Sequence, residues 1–423
     1  MALNFISGDN PIMTFLFFIL FFMFYPRIML WQMTYKLENN LIKLKQYSEK
    51  SQSIIMQKFA TKTKDKKKAK DRLVNFMDFF IVPPVSIDPA GIIPKLDKTI
   101  KESDRKVEYV VRDIAGSDID EEEMANLKMS LMGAMMTNQI FKIFRHFMIL
   151  IKKSNNLQLA MILQMQIPML MNLAKANLRA TKCFSNGVPI GDSIGPMVSA
   201  SFMSTKPLEI AKDVVVTKET VEKKTTYFMK AKGPGSRLGE VGDAVEKAIK
   251  RYKIDYVITV DAAGKLEGEK TGVIAEGVGI AMGGVGVQRS KIENAIFNNK
   301  RHIAIDALAV KQAPIEASIA MKKEIFGSLK RAQDKLKELI KESDAKSVLV
   351  IGVGNTSGIK NNKKTLESDV EKLLKPDWAI YQRKKKIQEK KKKSLWYRLF
   401  GPKEDEDDEF LGFALGPGGG QCL

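Results

Sequence analysis

Two aspartates stand where chemistry could be done. In SNGVPIGDSIGPMVSASFM (185–203), Asp192 lies between Gly191 and the pair Gly195–Pro196. Asp261 closes the apolar run IDYVITVDAA (254–263), 69 residues further on. Two carboxyl groups brought together and sharing one proton can activate water, one as base and the other as acid. Behind Asp261 runs DAAGKLEGEKTGVIAEGVGIAMGGVGVQR (261–289), which carries Lys265, Glu267, Glu269, Glu276 and a series of glycines, among them Gly279, Gly283 and Gly284. Glycine lets a backbone take positive φ and approach a ligand closely, so these residues are candidates for ligand binding. Lys265 or Glu267 would tune the acids. A second loop, GVGNTSG (352–358), adds Gly352, Gly354 and Asn355. It follows an apolar run, as a phosphate-binding loop would, but is neither a Walker loop nor G-x-G-x-x-G.

A divalent metal is the competing use of the same acids. Its ligands would be Asp192, Asp261 and Glu267, with His302 added. The chain has two histidines, His146 and His302, and two cysteines, Cys183 and Cys422, and none of these shows zinc-ligand spacing. The plainest reading is that the acids cap turns and pair with lysines. These readings stay open at the level of the residues.

The scaffold for these residues is α/β. From 181 to 378 apolar runs alternate with amphipathic ones. Strands are expected at 213–234, 254–263, 302–310 and 347–353, with helices at 239–253, 289–300, 314–343 and 361–375. The runs at 254–263 and 302–310 are nearly continuous in apolar residues, as in a parallel sheet covered on both faces. Ligands in such sheets sit beyond the carboxyl ends of strands, which is where Asp261 would lie. Asp306 is a further candidate for that edge.

The preceding region reads as helical. PIMTFLFFILFFMFYPRIMLWQM (11–33) is long enough to cross a bilayer if Arg27 reaches the interface, with Tyr25, Trp31 and Tyr35 as its aromatic belt. A cleaved signal peptide is the rival, but no positive charge precedes the apolar run. Amphipathic and basic juxtamembrane helices are expected over 34–78, and a Met-rich helical region over 79–180. There, 120–153 and 155–180 form antiparallel partners, the second interrupted at Pro168. Ten of the 22 methionines fall between Met124 and Met171. They either fill a helical core or present a soft surface to apolar segments. Residues 379–423 are charged and expected to be disordered.

Lys and Arg outnumber Asp and Glu 69 to 49, a formal net charge of +20. The basic residues sit in local runs such as TKTKDKKKAKDR (61–72), suited to anionic headgroups. No nucleic-acid-binding signature accompanies them, so no specific nucleic-acid partner is expected. Positive residues after the apolar segment place the C-terminal bulk in the cytoplasm, on a single-pass anchor in the cell membrane. Two cysteines suit a reducing compartment.

Two resemblances add to this. Asp192-Ser193-Ile194-Gly195-Pro196, the strand ending at Asp261 and the glycine run behind it resemble motifs of the bacterial spore germination protease and hydrogenase maturation endopeptidase fold. That likeness implies Asp192 and Asp261 as an acid pair in a peptidase. In that fold a strand ending GLGN precedes the first acid. Here the matching VLVIGVGN lies at 348–355, so the sheet would be circularly permuted, with strand 347–353 beside the Asp192 loop. The segments VVRDIAG, GDSIGP, DAAGKLEGEKTG and AEGVGIAMGG also resemble an archaeal membrane-anchored family of unestablished function. The expected function is an aspartate-dependent peptidase acting on apolar, membrane-proximal segments at the cytoplasmic face. The alternative is a non-catalytic membrane adaptor whose glycine loops hold a nucleotide or a protein partner.

Overall fold

A computed structural model describes residues 11–63, 65–81, 83–84, 91–284 and 286–393. The chain begins with a single 50-residue helix, α1 (Pro11–Ala60). The apolar anchor and the amphipathic stretch, expected as separate segments, are one continuous rod. Its first half is uncovered: Phe15, Phe17, Phe22 and Met23 are all exposed. Its second half is not, because Leu37, Leu44, Tyr47, Ile55 and Phe59 recur at helical spacing and are buried. The helix is long and apolar enough to cross a membrane.

Three shorter elements follow: α2 (Lys66–Phe76), α3 (Ile92–Ala115) and α4 (Glu121–Ser154). Asp120 caps α4 by accepting from the N–H groups of Glu122 and Glu123, and Glu121, Glu122 and Glu123 favour its positive end. Asn155 turns the chain in the left-handed region, and α5 (Leu157–Ser185) returns beside α1 and α4. Phe144, Met148, Ala160, Leu163 and Ala174 pack with Leu37 and Leu44. Pro168 does not interrupt α5, contrary to the sequence expectation. It removes one N–H, while buried neighbours on both sides hold the helix in place. The methionines divide: Met124, Met135, Met148 and Met171 are buried, whereas Met132, Met136, Met161, Met165 and Met169 are exposed.

The α/β domain starts with a one-turn 3-10 helix (Gly191–Ser193) leading into α6 (Ile194–Ala200). Then come β1 (Leu208–Ala211), β2 (Val214–Val221), β3 (Lys224–Ala231), α7 (Val241–Tyr252), β4 (Tyr256–Gly264), β5 (Ile274–Gly277), α8 (Val287–Phe297) and β6 (Ala304–Gln312). The chain goes on through α9 (Pro314–Ala317), α10 (Lys323–Phe326), α11 (Leu329–Glu342), β7 (Ser347–Gly352) and α12 (Leu366–Lys393). The sheet has the order β1-β2-β3-β7-β4-β6-β5. Strands β3, β7, β4 and β6 are mutually parallel, and β1, β2 and β5 pair antiparallel at the edges.

Alternation along β4 sends Tyr256, Ile258 and Val260 to one face, with α6, α11 and α12. Val257 faces the other way, toward α7 and α8. The sequence missed β1 and β5, each only four residues long. The region expected to be disordered from 379 begins as helix, since α12 runs to Lys393. Residues 394–423 lie outside the described residues. The helical region is joined to the sheet domain by buried polar contacts. Asn126 Oδ1 accepts from Ser236 N (2.9 Å) and Ser236 Oγ (2.6 Å), and Lys291 pairs with Asp97 (3.0 Å).

Candidate functional site

Strand β7 was expected beside the Asp192 loop, and it lies there at the centre of the sheet. Gly195 sits where the ends of β4 and β7 approach each other. A Cβ on Gly195 would lie 2.1 Å from Val353 O and 2.4 Å from Val260 O. Gly352 is pressed against Gly195 O in return, and Gly354, at φ +129°, against Asp192 O. Only residues without side chains let the turn settle onto the strand ends this closely. That closeness carries Asp192 to the carboxyl edge of β4, where Asp261 ends the buried part of the strand.

The two carboxyls lie within electrostatic reach of each other. Asn355 N–H donates to Asp192 Oδ2 (2.7 Å). Gly283 N–H donates to Asp261 Oδ2 (3.0 Å), and Ala262 N–H to Asp261 Oδ1 (2.7 Å). Asp261 is 5% exposed. Asp192 as a whole residue is partly accessible, yet burial of its carboxyl group pushes its pKa above the usual carboxylate range, against the Asn355 N–H. Burial pushes Asp261 up to about 8, and the nearby Asp192 charge adds to the rise, with the Gly283 and Ala262 N–H groups opposing it. Among the described residues no lysine, arginine or histidine pairs with either carboxyl. Burial and the nearby Asp192 charge both favour the protonated form of the Asp261 carboxyl at neutral pH.

The other expected residues are elsewhere or have other work. His302 is exposed and precedes β6, at the amino edge of the parallel strands. Asp261 lies at the opposite edge, so His302 cannot join the acids on a metal. Asp306 is also nearer the amino edge, where it accepts a hydrogen bond from the Tyr256 hydroxyl. Glu269 pairs with Lys311, and Glu276 pairs with Lys335 (2.8 Å). Lys265 Nζ donates to Glu269 O (3.3 Å). Neither Lys265 nor Glu267 contributes to the shift of Asp261, so the expected tuning is corrected: burial and Asp192 supply it. Among the described residues no group of three or more His, Cys, Asp or Glu side chains is arranged to hold a metal.

The glycine loops divide in the same way. Around 352–359 the N–H groups are used within the protein: Val353 to Val260 O, Asn355 to Asp192, Thr356 to Arg237 O, Ser357 to Asn355 Oδ1 and Gly358 to Pro234 O. Gly352 and Gly354 therefore serve close packing, and the loop is not an open phosphate cradle. Gly279 (φ +114°) and Gly284 (φ +82°) lie on the strap after β5 with open space beside them. That strap is tied down by Ala281 N–H to Thr259 Oγ1 (2.9 Å) and by the exposed Gly283 over Asp261.

Sequence reasoning missed Gln312. It ends β6 with its side chain against Gly191, and is 1% exposed with neither amide atom hydrogen bonded. A polar residue ending an apolar strand was the available signal.

Residues 11–187 match a family model described as the N-terminal domain of a protein of unknown function, DUF1512. Residues 190–360 match the C-terminal domain of unknown function of that family. The junction between the two matches falls in the turn between α5 and the 3-10 helix. No curated protein and no solved structure matches the chain, so the likeness to the germination protease fold rests on its short motifs alone. The family match carries no organism, and the archaeal likeness gains nothing from it. With its helical region and its sheet domain both matched in order, the chain belongs to the DUF1512 family.

Proposed function

We propose that the sheet domain hydrolyses peptide bonds at the cytoplasmic face of a membrane, with Asp192 and Asp261 as its acid pair. One observation carries this reading: two carboxyls shielded by burial lie within electrostatic reach of each other at the carboxyl edge of a parallel sheet, and among the described residues no basic group pairs with either. Glu316, also buried, is by contrast paired with Lys322 (2.8 Å). The ionised carboxylate would take a proton from water as the oxygen attacks the carbonyl carbon. The protonated carboxyl would give its proton to the carbonyl oxygen. Collapse of the tetrahedral intermediate passes a proton to the leaving nitrogen and restores the shared proton. Asn355, through its N–H, and Gly283 position the two carboxyls. The uncovered apolar half of α1 supports anchoring, and the basic residues after it support a cytoplasmic sheet domain.

The test is turnover of a fluorescence-quenched peptide library by the full chain in lipid nanodiscs. Asp192→Asn and Asp261→Asn should each lower turnover at least about a thousandfold. The pH profile should fall as the shared proton is lost near pH 8. Unchanged turnover in both variants, or none in the unaltered chain, sinks the proposal. The nucleotide-adaptor alternative predicts thermal stabilisation by ATP or GTP. The occupied N–H groups of 353–358 argue that neither will shift the melting temperature.

A further inference from the structure

The helical region leaves large apolar side chains uncovered, and several gather at the end that faces the apolar half of α1. Lys152 pairs with Glu38, and Ser48 Oγ donates to Asn138 Oδ1 (3.1 Å). These two contacts fix α4 antiparallel to α1. At about 1.5 Å per residue, the α4–α5 turn at Asn155 reaches roughly 4–5 Å past Lys152. That sets the turn level with Tyr35 on α1, where the apolar run gives way to Lys36 and Glu38. Tyr35 is 59% exposed and Trp31 is 70% exposed, the placement expected of aromatic side chains at a membrane surface. Around the turn, Ile149, Leu150, Met161 and Ile162 are all exposed, beside Lys152 and Lys153.

We propose that the α4–α5 turn is a second membrane contact, in which Ile149, Leu150, Met161 and Ile162 enter the interfacial layer of an anionic bilayer. Lys153 meets its headgroups, while Lys152 stays paired with Glu38. The surface has the make-up of an interfacial element: apolar side chains flanked by lysines, too short to span. It is continuous with the exposed apolar surface of α1. α5, which is also long and apolar enough to cross a membrane, then runs away from the bilayer beside residues 37–54 of α1 and serves in this reading as a bundle helix. The turn and the anchor form two points of attachment, which fix the tilt of the rod and hold the sheet domain at a set height. The inference rests on the anchor reading of α1 and is independent of the acid pair.

The test uses the full chain in nanodiscs, with Cys422→Ser as background. Cys183 is buried and burial pushes its thiol up to about 12, so it stays unlabelled. Nitroxide labels are placed singly through Phe17→Cys, Ile162→Cys and Met136→Cys. Position 136 is exposed but lies about 24 Å along α4 from Lys152. Collision with a water-soluble nickel chelate is compared in phosphatidylglycerol and phosphatidylcholine discs. In phosphatidylglycerol, position 162 should be at least about threefold less accessible than 136. Adding Lys153→Glu should remove much of that protection. Equal accessibility at 162 and 136, with 17 protected, overturns the turn contact and leaves the anchor standing. Accessibility at 17 as well overturns the anchor reading and the contact with it. Spin–spin broadening at 162 shows that a second copy covers the turn, which also overturns the proposal.

Discussion

In the helical region, Phe59, Leu131, Phe144 and Met148 fill the core, and the buried polar groups are hydroxyls and amides together with Lys175. In the sheet domain, Lys230, Arg237, Asp261 and Glu316 are buried as well. Two of these four have a partner of opposite charge, whereas Lys230 has only neutral acceptors and burial pushes its pKa down to about 7. Arg237 pairs with Asp213 (3.0 Å), Glu316 with Lys322, and Lys230 Nζ donates to Asn361 Oδ1 (2.7 Å). Asp261 has peptide N–H groups and faces another acid. A buried charge without a counter-charge costs several kcal/mol and usually changes protonation instead. The contrast separates a scaffold, stabilised by apolar packing, from a domain that buries two groups without a counter-charge, Lys230 and Asp261.

The largest effect should come from Phe144→Ala. Deleting a fully packed aromatic ring costs about 3–5 kcal/mol. If the regions are energetically separate, thermal unfolding should split into two transitions, with the sheet domain's melting unchanged. A single lowered transition would join the two regions into one cooperative unit. Next is Gly195→Ala, where a methyl group would collide with two backbone carbonyls that cannot turn aside. A loss of about 3 kcal/mol is expected, at the upper end for overpacking. It should fall on the sheet domain in the same unfolding measurement.

Asp261→Asn tests the imbalance directly. The folded pKa, about 8, lies above the ordinary value of 3.8. Between these values the folded state keeps a proton that the unfolded state releases, so this group's contribution to stability falls as pH rises. Asp261→Asn should therefore leave stability near pH 4 unchanged and raise it at pH 9. Chemical denaturation at the two pH values gives the difference. A uniform loss at both would make Asp261 an ordinary structural acid. The smallest effect is expected for Gly284→Ala, at φ +82° with nothing within 4 Å. Its cost should be about 1 kcal/mol, from the left-handed backbone alone.

Much of the architecture was legible in the sequence because it depends on local periodicity. The 3.6-residue spacing of Leu37 and Leu44, the acids opening α4, and the continuous apolar runs of β4, β6 and β7 are properties of neighbouring residues. Short edge strands were not legible: β1 and β5 have too few residues for a period. Asp192 and Asp261 were nominated from glycine context and strand position. His302 was nominated for its chemistry alone, and its position at the start of β6 put it at the far edge of the sheet. The glycines of 352–358 looked like a ligand loop, since the sequence does not distinguish glycine that admits a ligand from glycine that admits another strand.

The sequence alone determined the apolar rod, the antiparallel helices, the α/β alternation and the identity of two aspartates in unusual surroundings. Only the tertiary structure decided that β7, nearly ninety residues after β4 in the chain, inserts between β3 and β4. That insertion brings Gly352 and Gly354 under the Asp192 turn and carries Asp192 to the sheet edge where Asp261 lies. The physical reason is that strand order is set by pairing and packing between distant segments. The raised pKa of Asp261 follows from that packing, because burial and a second carboxyl act on it only once the sheet has closed around them.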